Sequence, residues 1–217
     1  MAQDLKYSTY LFDFDGTLVD SMPVFAAVMT GILKDHGVSY PDNVIEIITP
    51  MGYAGSAEYF RRLGMDMPVS DIVEIINTRA LYEYEHTILL KAGVKDTLLS
   101  LRQRGASLNI LTASPHLMLD PCLKRLGIWE LFDRVWSSDD FGMSKRVPEI
   151  YISAAERMGK KVGDVLFVDD NIHADAAAKQ AGMWVCGIYD PSSEALREDM
   201  RALCHHYIDT MPQLPEL

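Results

Sequence analysis

The sequence predicts an α/β fold, a doubly wound parallel sheet carrying an inserted helical domain, and three observations predict it. A hydrophobic strand opens the chain, the stretch 18–89 then shows only helical periodicity, and after Gly93 helices and strands alternate toward the end. Alternation of that kind belongs to a sheet wound by right-handed crossovers, and the helical block splits it in sequence. The expected division is a core of 1–17 with 90–217 and an insert of 18–89.

Taken in order, Tyr7 to Asp15 (YSTYLFDFD) is rich in aromatics and β-formers on both alternating faces, which suits a strand covered on both sides. A tight turn at Gly16-Thr17 follows. Helical patterns run from Pro23 to about His36 and through SAEYFRRLG and SDIVEIINTRALYEYEH. Asp20-Ser21 before Pro23 is expected to cap the first of these helices, and Ser70 the last, with Val73, Ile76 and Ala80 on one face. Gly37 and Gly64 fit helix C-terminal stops. Met51 to Ser56 is the most loop-like stretch of the insert, suited to contacting a leaving group or to a plain turn between helices. Beyond Gly93 the expected elements are a helix 94–104, strand 107–112, helix 117–126, strand 134–137, helix 148–158, strand 165–169, helix 173–181 and strand 183–188.

Charge and composition exclude several classes. Lys plus Arg total 20 against 31 Asp plus Glu, a net charge of −11. A general nucleic-acid binder needs the opposite sign to release counterions, so no nucleic-acid partner is expected. A site for an anionic substrate must then be locally positive. No run approaches 18 apolar residues, and Met1 to Lys6 shows no signal-peptide pattern, so a cytoplasmic protein without a membrane partner is expected. Cys122, Cys186 and Cys204 are odd in number and form no CxxC pair, which fits buried reduced thiols. A monomer is the simplest expectation.

In open α/β sheets ligands bind beyond the carboxyl ends of the strands. At those ends stand Asp13-Phe14-Asp15-Gly16-Thr17, Thr112-Ala113-Ser114 and Asp169-Asp170-Asn171, and Ser144-Lys145-Arg146-Val147 precedes the Pro148 helix. On a strand, Asp13 and Asp15 face the same side. With Asp170 arriving from another strand, these carboxylates repel unless a cation sits between them, and a hard ion such as Mg²⁺ meets that need. An ionised Asp13 is a nucleophile able to attack phosphorus, and Lys145 and the Thr112 hydroxyl suit the phosphoryl oxygens.

Asp13-Phe14-Asp15-Gly16-Thr17-Leu18-Val19-Asp20 resembles the first motif of the haloacid dehalogenase superfamily of phosphohydrolases. Thr112, Lys145 with Pro148, and Asp169-Asp170 resemble its remaining three motifs in the same order. The resemblance spans the chain outside the insert and implies a Rossmann-like core, with the insert as the family's helical cap. It implies Asp13 as nucleophile and metal ligand. Asp15 would be the general acid/base, binding the metal through its backbone carbonyl. Thr112 and the Ala113 backbone would hold the phosphoryl group, Lys145 would neutralise it, and Asp170 would complete an Mg²⁺ site. The expected substrate is a small phosphorylated metabolite such as a sugar phosphate or phosphoglycolate.

Two departures leave alternatives open. The family's Lys-Pro-x-Pro is here Lys145-Arg146-Val147-Pro148, so Arg146 competes with Lys145 as the working cation. The acidic fourth motif fits two spacings, the pair Asp169-Asp170 and a further Asp175, with Asp170 common to both. Family dehalogenases lack the second Asp, so Asp15 favours a phosphate ester. Mutases of the β-phosphoglucomutase kind carry a His ten residues after it, where this chain has Phe25; a phosphonate hydrolase's imine-forming cap Lys has only Lys34 as candidate. A mutase and a non-catalytic phosphate-binding protein remain the alternatives. His116, His173 and the His205-His206 pair are expected to be structural or at the surface, and Trp129, Trp136 and Trp184, beside apolar residues, to be core rather than stacking platforms.

Overall fold

The computed structural model describes residues 5–217; the N-terminal reading on Met1–Asp4 lies outside the described residues. The chain forms two compact units, one taking the chain through Asp20 together with Leu89–Leu217, the other Ser21–Ile88.

The first unit is a six-stranded sheet in the order β3-β2-β1-β4-β5-β6, with every pairing parallel. The strands are β1 (Thr9–Phe12), β2 (Ser107–Thr112), β3 (Arg134–Ser137), β4 (Leu166–Asp169), β5 (Trp184–Ile188) and β6 (His206–Ile208). Between and after them lie α5 (Val94–Gln103), α6 (His116–Leu126), α7 (Pro148–Arg157), α8 (Ile172–Ala181) and α9 (Arg197–Leu203). All four residues of β1 are buried, as a strand with helices on both faces requires. Leu11, Leu111, Tyr151, Phe167 and Val185 share one cluster, and each such burial contributes roughly 1.5–3 kcal/mol. From β1 the chain winds outward to β2 and β3, then crosses back to β4, β5 and β6 on the other side. The winding therefore reverses between β1 and β4, where such sheets leave a crevice at their carboxyl ends.

The second unit is helical: α1 (Met22–Asp35), α2 (Val44–Ile48), α3 (Gly52–Arg62) and α4 (Val69–His86). Ile72, Ile76, Ala80 and Tyr84 form the buried stripe of α4 at four-residue spacing, and Ile72 and Ile76 pack with Met29, Leu33 and Phe60.

Several local expectations are corrected. β1 stops at Phe12, so Asp13 and Asp15 stand beyond the strand and its alternation does not orient them. α4 starts after Pro68, whose extended backbone sets the entry; Ser70 lies inside the helix and donates to Asp71 instead of capping. Ser21 occupies the N-cap position of α1 but makes no capping bond, and its hydroxyl has no partner among the described residues. Met51–Ser56 is helical rather than a loop: Gly52 alone takes the positive φ, and Ser56 already donates to the Gly52 carbonyl inside α3. Trp184 is 40% exposed at the start of β5, beside His205 and Tyr7, and is no core residue. β6 escaped the sequence reading because His-Tyr-Ile offers too little hydrophobic alternation.

Candidate active site

The register explains why the acidic residues meet. Phe12 lies opposite Val168, so Asp13 and Asp169 follow at one level, and the Asp13 amide still donates to the Val168 carbonyl at 2.9 Å. Asp13, Asp169 and Asp170 each offer an oxygen within 4.8 Å of the others, and all three are buried. Asn171 ends this segment as the N-cap of α8, accepting from the His173 amide at 3.0 Å, which fixes where β4 stops and the helix starts.

Lys145 supplies the counter-charge. Its Nζ donates to Asp13 Oδ1 and Asp169 Oδ2, both at 2.6 Å, and it is 9% exposed. Pro148 at the start of α7 and a 2.8 Å bond from the Tyr151 hydroxyl to the Lys145 carbonyl fix the backbone before that helix. The ammonium lies 5.3 Å from the Phe167 ring centroid. Arg146 is exposed, so Lys145 is the cation that reaches the carboxylates. Three carboxylates against one ammonium leave a formal 1 − 3 = −2.

That imbalance appears in the proton affinities. Burial first, then Asp169, pushes the Asp13 carboxyl up to about 7, against the lowering by Lys145. Burial and then Asp169 and Asp13 also raise Asp170 well above the usual range. Burial alone would lower the Lys145 pKa, but Asp13 and Asp169 outweigh it and hold the ammonium protonated. A buried set of hard oxygen donors carrying excess negative charge fits a divalent cation such as Mg²⁺.

Thr112 ends β2, buried, with its hydroxyl accepting from the Ser114 amide at 3.1 Å, and Ala113 is exposed beside it. Asp15 contributes no carboxylate to the acidic cluster; its Oδ2 accepts from the Ser114 hydroxyl, which ties the first motif to the second. Thr17 donates to Asp170 Oδ1 at 2.9 Å. Gly16 is required here: its φ is +77°, and a Cβ would lie 2.5 Å from Asp170 Oδ2. Asp175 is fully buried and is not one of the three grouped carboxylates; it accepts from the Cys204 thiol at 3.2 Å. The three cysteines are unpaired. His116 bridges Asp120 and Asp140 at the start of α6, and His173 is exposed. Sequence reasoning missed Ser114, Lys91 and Asp190, whose partners lie 75 to 99 residues away.

The raised carboxyls predict a pH dependence of stability. A folded-state pKa above the unfolded value of about 3.9 means stability is present below that value and lost as pH rises through about 7 for Asp13. In chelator, thermal midpoints of the wild type relative to Asp13→Asn should therefore fall between about pH 4 and 7. A difference that stays flat or rises across that window contradicts the assignment.

The family model for haloacid dehalogenase-like hydrolases matches residues 7–182. Hexitol phosphatase B of Escherichia coli O157:H7 is 24% identical over 213 residues, covering 94% of this chain and 92% of that protein. Phosphoglycolate phosphatase of Shigella boydii is 29% identical over 195 residues, covering 79% and 77%. Among solved structures, CbbY from Rhodobacter sphaeroides in complex with phosphate matches with a TM-score of 0.80 at 21% identity, covering 97% of this chain and 100% of that one. No helix among the described residues is long and apolar enough to cross a membrane.

Proposed function

Because this chain belongs to the haloacid dehalogenase-like hydrolases, we propose that it is a phosphatase of small phosphorylated metabolites acting through Asp13. The observation that carries this reading is the buried meeting of Asp13, Asp169, Asp170 and Lys145 where the winding of the sheet reverses. Burying three carboxylates against one ammonium is costly to the fold, a cost that a bound cation would offset.

In this reading an Asp13 oxygen attacks phosphorus in line, the bond to the leaving-group oxygen breaks, and Asp15 gives that oxygen its proton. Asp15 then takes a proton from the water that attacks the aspartyl-phosphate, releasing phosphate and regenerating Asp13. The Thr112 hydroxyl and the Ala113 amide hold the phosphoryl oxygens, and Lys145 offsets their charge. Asp13, Asp170 and the Asp15 carbonyl would hold Mg²⁺, with Asp169 as a further donor. When bound, the ion supplies positive charge that relieves the acidic cluster and favours the phosphoryl oxygens. The helical unit is assigned the role of substrate-selecting cap. The protein is read as a cytoplasmic monomer.

The mutase reading is disfavoured by Phe25, which stacks on Tyr53 with ring centroids 6.4 Å apart and carries no proton to transfer. The names of the relatives direct the test toward hexitol phosphates and phosphoglycolate. Phosphate release should be measured across such a panel with Mg²⁺ and again in chelator. Release from at least one compound, silenced by chelation, is expected. Isomer interconversion without release marks a mutase, and neither outcome marks a binding protein.

Asp15→Asn should lower turnover of alkyl phosphates by about 10²–10⁴-fold, and that of 4-nitrophenyl phosphate least, because its leaving group needs no proton. Equal losses along a series of leaving groups would count against the general-acid role.

A further inference from the structure

Lys91 stands where the chain re-enters the sheet unit, and its surroundings are unlike those of a surface lysine. Its backbone is tied to the segment after the first motif. The Lys91 amide donates to the Leu18 carbonyl at 3.0 Å, the Asp20 amide to the Leu89 carbonyl at 2.9 Å, and Val19 pairs with Leu90 in an antiparallel bridge. Its side chain turns inward, 19% exposed. Nζ donates to the Gly16 carbonyl at 2.6 Å, to the Tyr189 carbonyl at 2.9 Å and to Asp190 Oδ2 at 3.0 Å. An ammonium has three donors, and all three are taken by protein acceptors, so this lysine has none left for a substrate.

What it grips matters for the acidic cluster. The Gly16 carbonyl belongs to the same rigid peptide plane as the Thr17 amide. The Thr17 hydroxyl donates to Asp170 Oδ1, and a Cβ on Gly16 would run into the Asp170 carboxylate. Asp190, 1% exposed, is fixed in turn by the Ser192 amide at 2.9 Å and the Ser192 hydroxyl at 2.6 Å. The ammonium thus joins the turn after Asp15 to the junction between β5 and the short helical turn Pro191–Leu196, two segments far apart in sequence.

We propose that Lys91 is a positioning residue: by holding the Gly16–Thr17 peptide it sets the Asp170 carboxylate for cation binding and for the reaction. This rests on the reading of the site given above. The energetic ground is that a charge-assisted hydrogen bond in a buried setting is stronger than a neutral one, and a small displacement of a supporting group can cost about 10²-fold in rate.

Lys91→Met alone leaves Asp190 buried without its counter-charge and can fail to fold. The double variant Lys91→Met/Asp190→Asn removes that charge, and Asp190→Asn alone keeps the lysine's grip on Gly16. Mg²⁺ binding should be titrated calorimetrically and turnover of 4-nitrophenyl phosphate measured for all three and the wild type, with thermal midpoints alongside. The double variant should bind Mg²⁺ about tenfold more weakly and lose about 10–100-fold in kcat, with KM within about threefold. Asp190→Asn should stay within about threefold of the wild type in both. A double variant that matches Asp190→Asn in Mg²⁺ affinity and kcat overturns the inference alone and leaves Lys91 a structural pair. A wild type that neither binds Mg²⁺ nor releases phosphate overturns the reading of the site, and this inference with it.

Discussion

Asp13→Asn is expected to lower turnover by at least about 10⁴-fold while leaving the fold intact, since removing a nucleophile abolishes most of an enzyme's acceleration. The amide keeps the shape of the side chain and an oxygen for the Lys145 ammonium, but it cannot form an aspartyl-phosphate. The same change removes one of three clustered carboxylates. Because burial and Asp169 already push the Asp13 carboxyl up to about 7, the variant should be at least as stable as the wild type above that pH in chelator. Lost activity together with unchanged or raised stability separates a chemical role from a structural one. Retained turnover would remove the nucleophile assignment.

Lys145→Met is expected to act on both properties at once. Its ammonium is the partner of Asp13 and Asp169 at 2.6 Å, and the pairs are about nine-tenths buried or more. Removing one partner of a buried ion pair leaves uncompensated charge and typically costs about 3–5 kcal/mol. Turnover should fall by about 10²–10³-fold, the size expected when one group stabilising transition-state charge is lost. Mg²⁺ should restore part of the stability, because a bound cation replaces some of the missing positive charge. Denaturant unfolding with and without Mg²⁺ checks this; a variant as stable as the wild type in chelator would show that the carboxylates do not depend on Lys145.

Much of this was legible in the sequence because its signals are local. β2 and β3 begin and end where the alternation and turn residues place them, and α7 starts at Pro148, whose fixed φ suits a first helical residue. Three of the four motifs lie at the carboxyl ends of parallel strands, which one edge of the sheet brings together, and the Lys145 motif lies just before α7. What stayed hidden depends on distant partners. Nothing near Lys91 in the sequence announces Gly16 or Asp190, and the Ser114 bond to Asp15 joins residues 99 apart. Asp169 and Asp175 could not be ranked from spacing; burial near Lys145 separates one, and the Cys204 thiol engages the other. The strand parity argument for Asp13 and Asp15 failed for a physical reason. The strand ladder ends at Phe12, and the chain turns at Gly16, whose φ is +77°, beside Asp170.

The central claim is a covalent phosphoryl group on Asp13, and mass spectrometry of acid-quenched single turnovers tests it most directly. With Mg²⁺ and the best substrate of the panel, the peptide spanning residues 9–17 should carry a transient phosphoryl group on Asp13, absent from Asp13→Asn. Phosphate released while that peptide stays unmodified at every time point, or a phosphoryl group found on another residue, would contradict it.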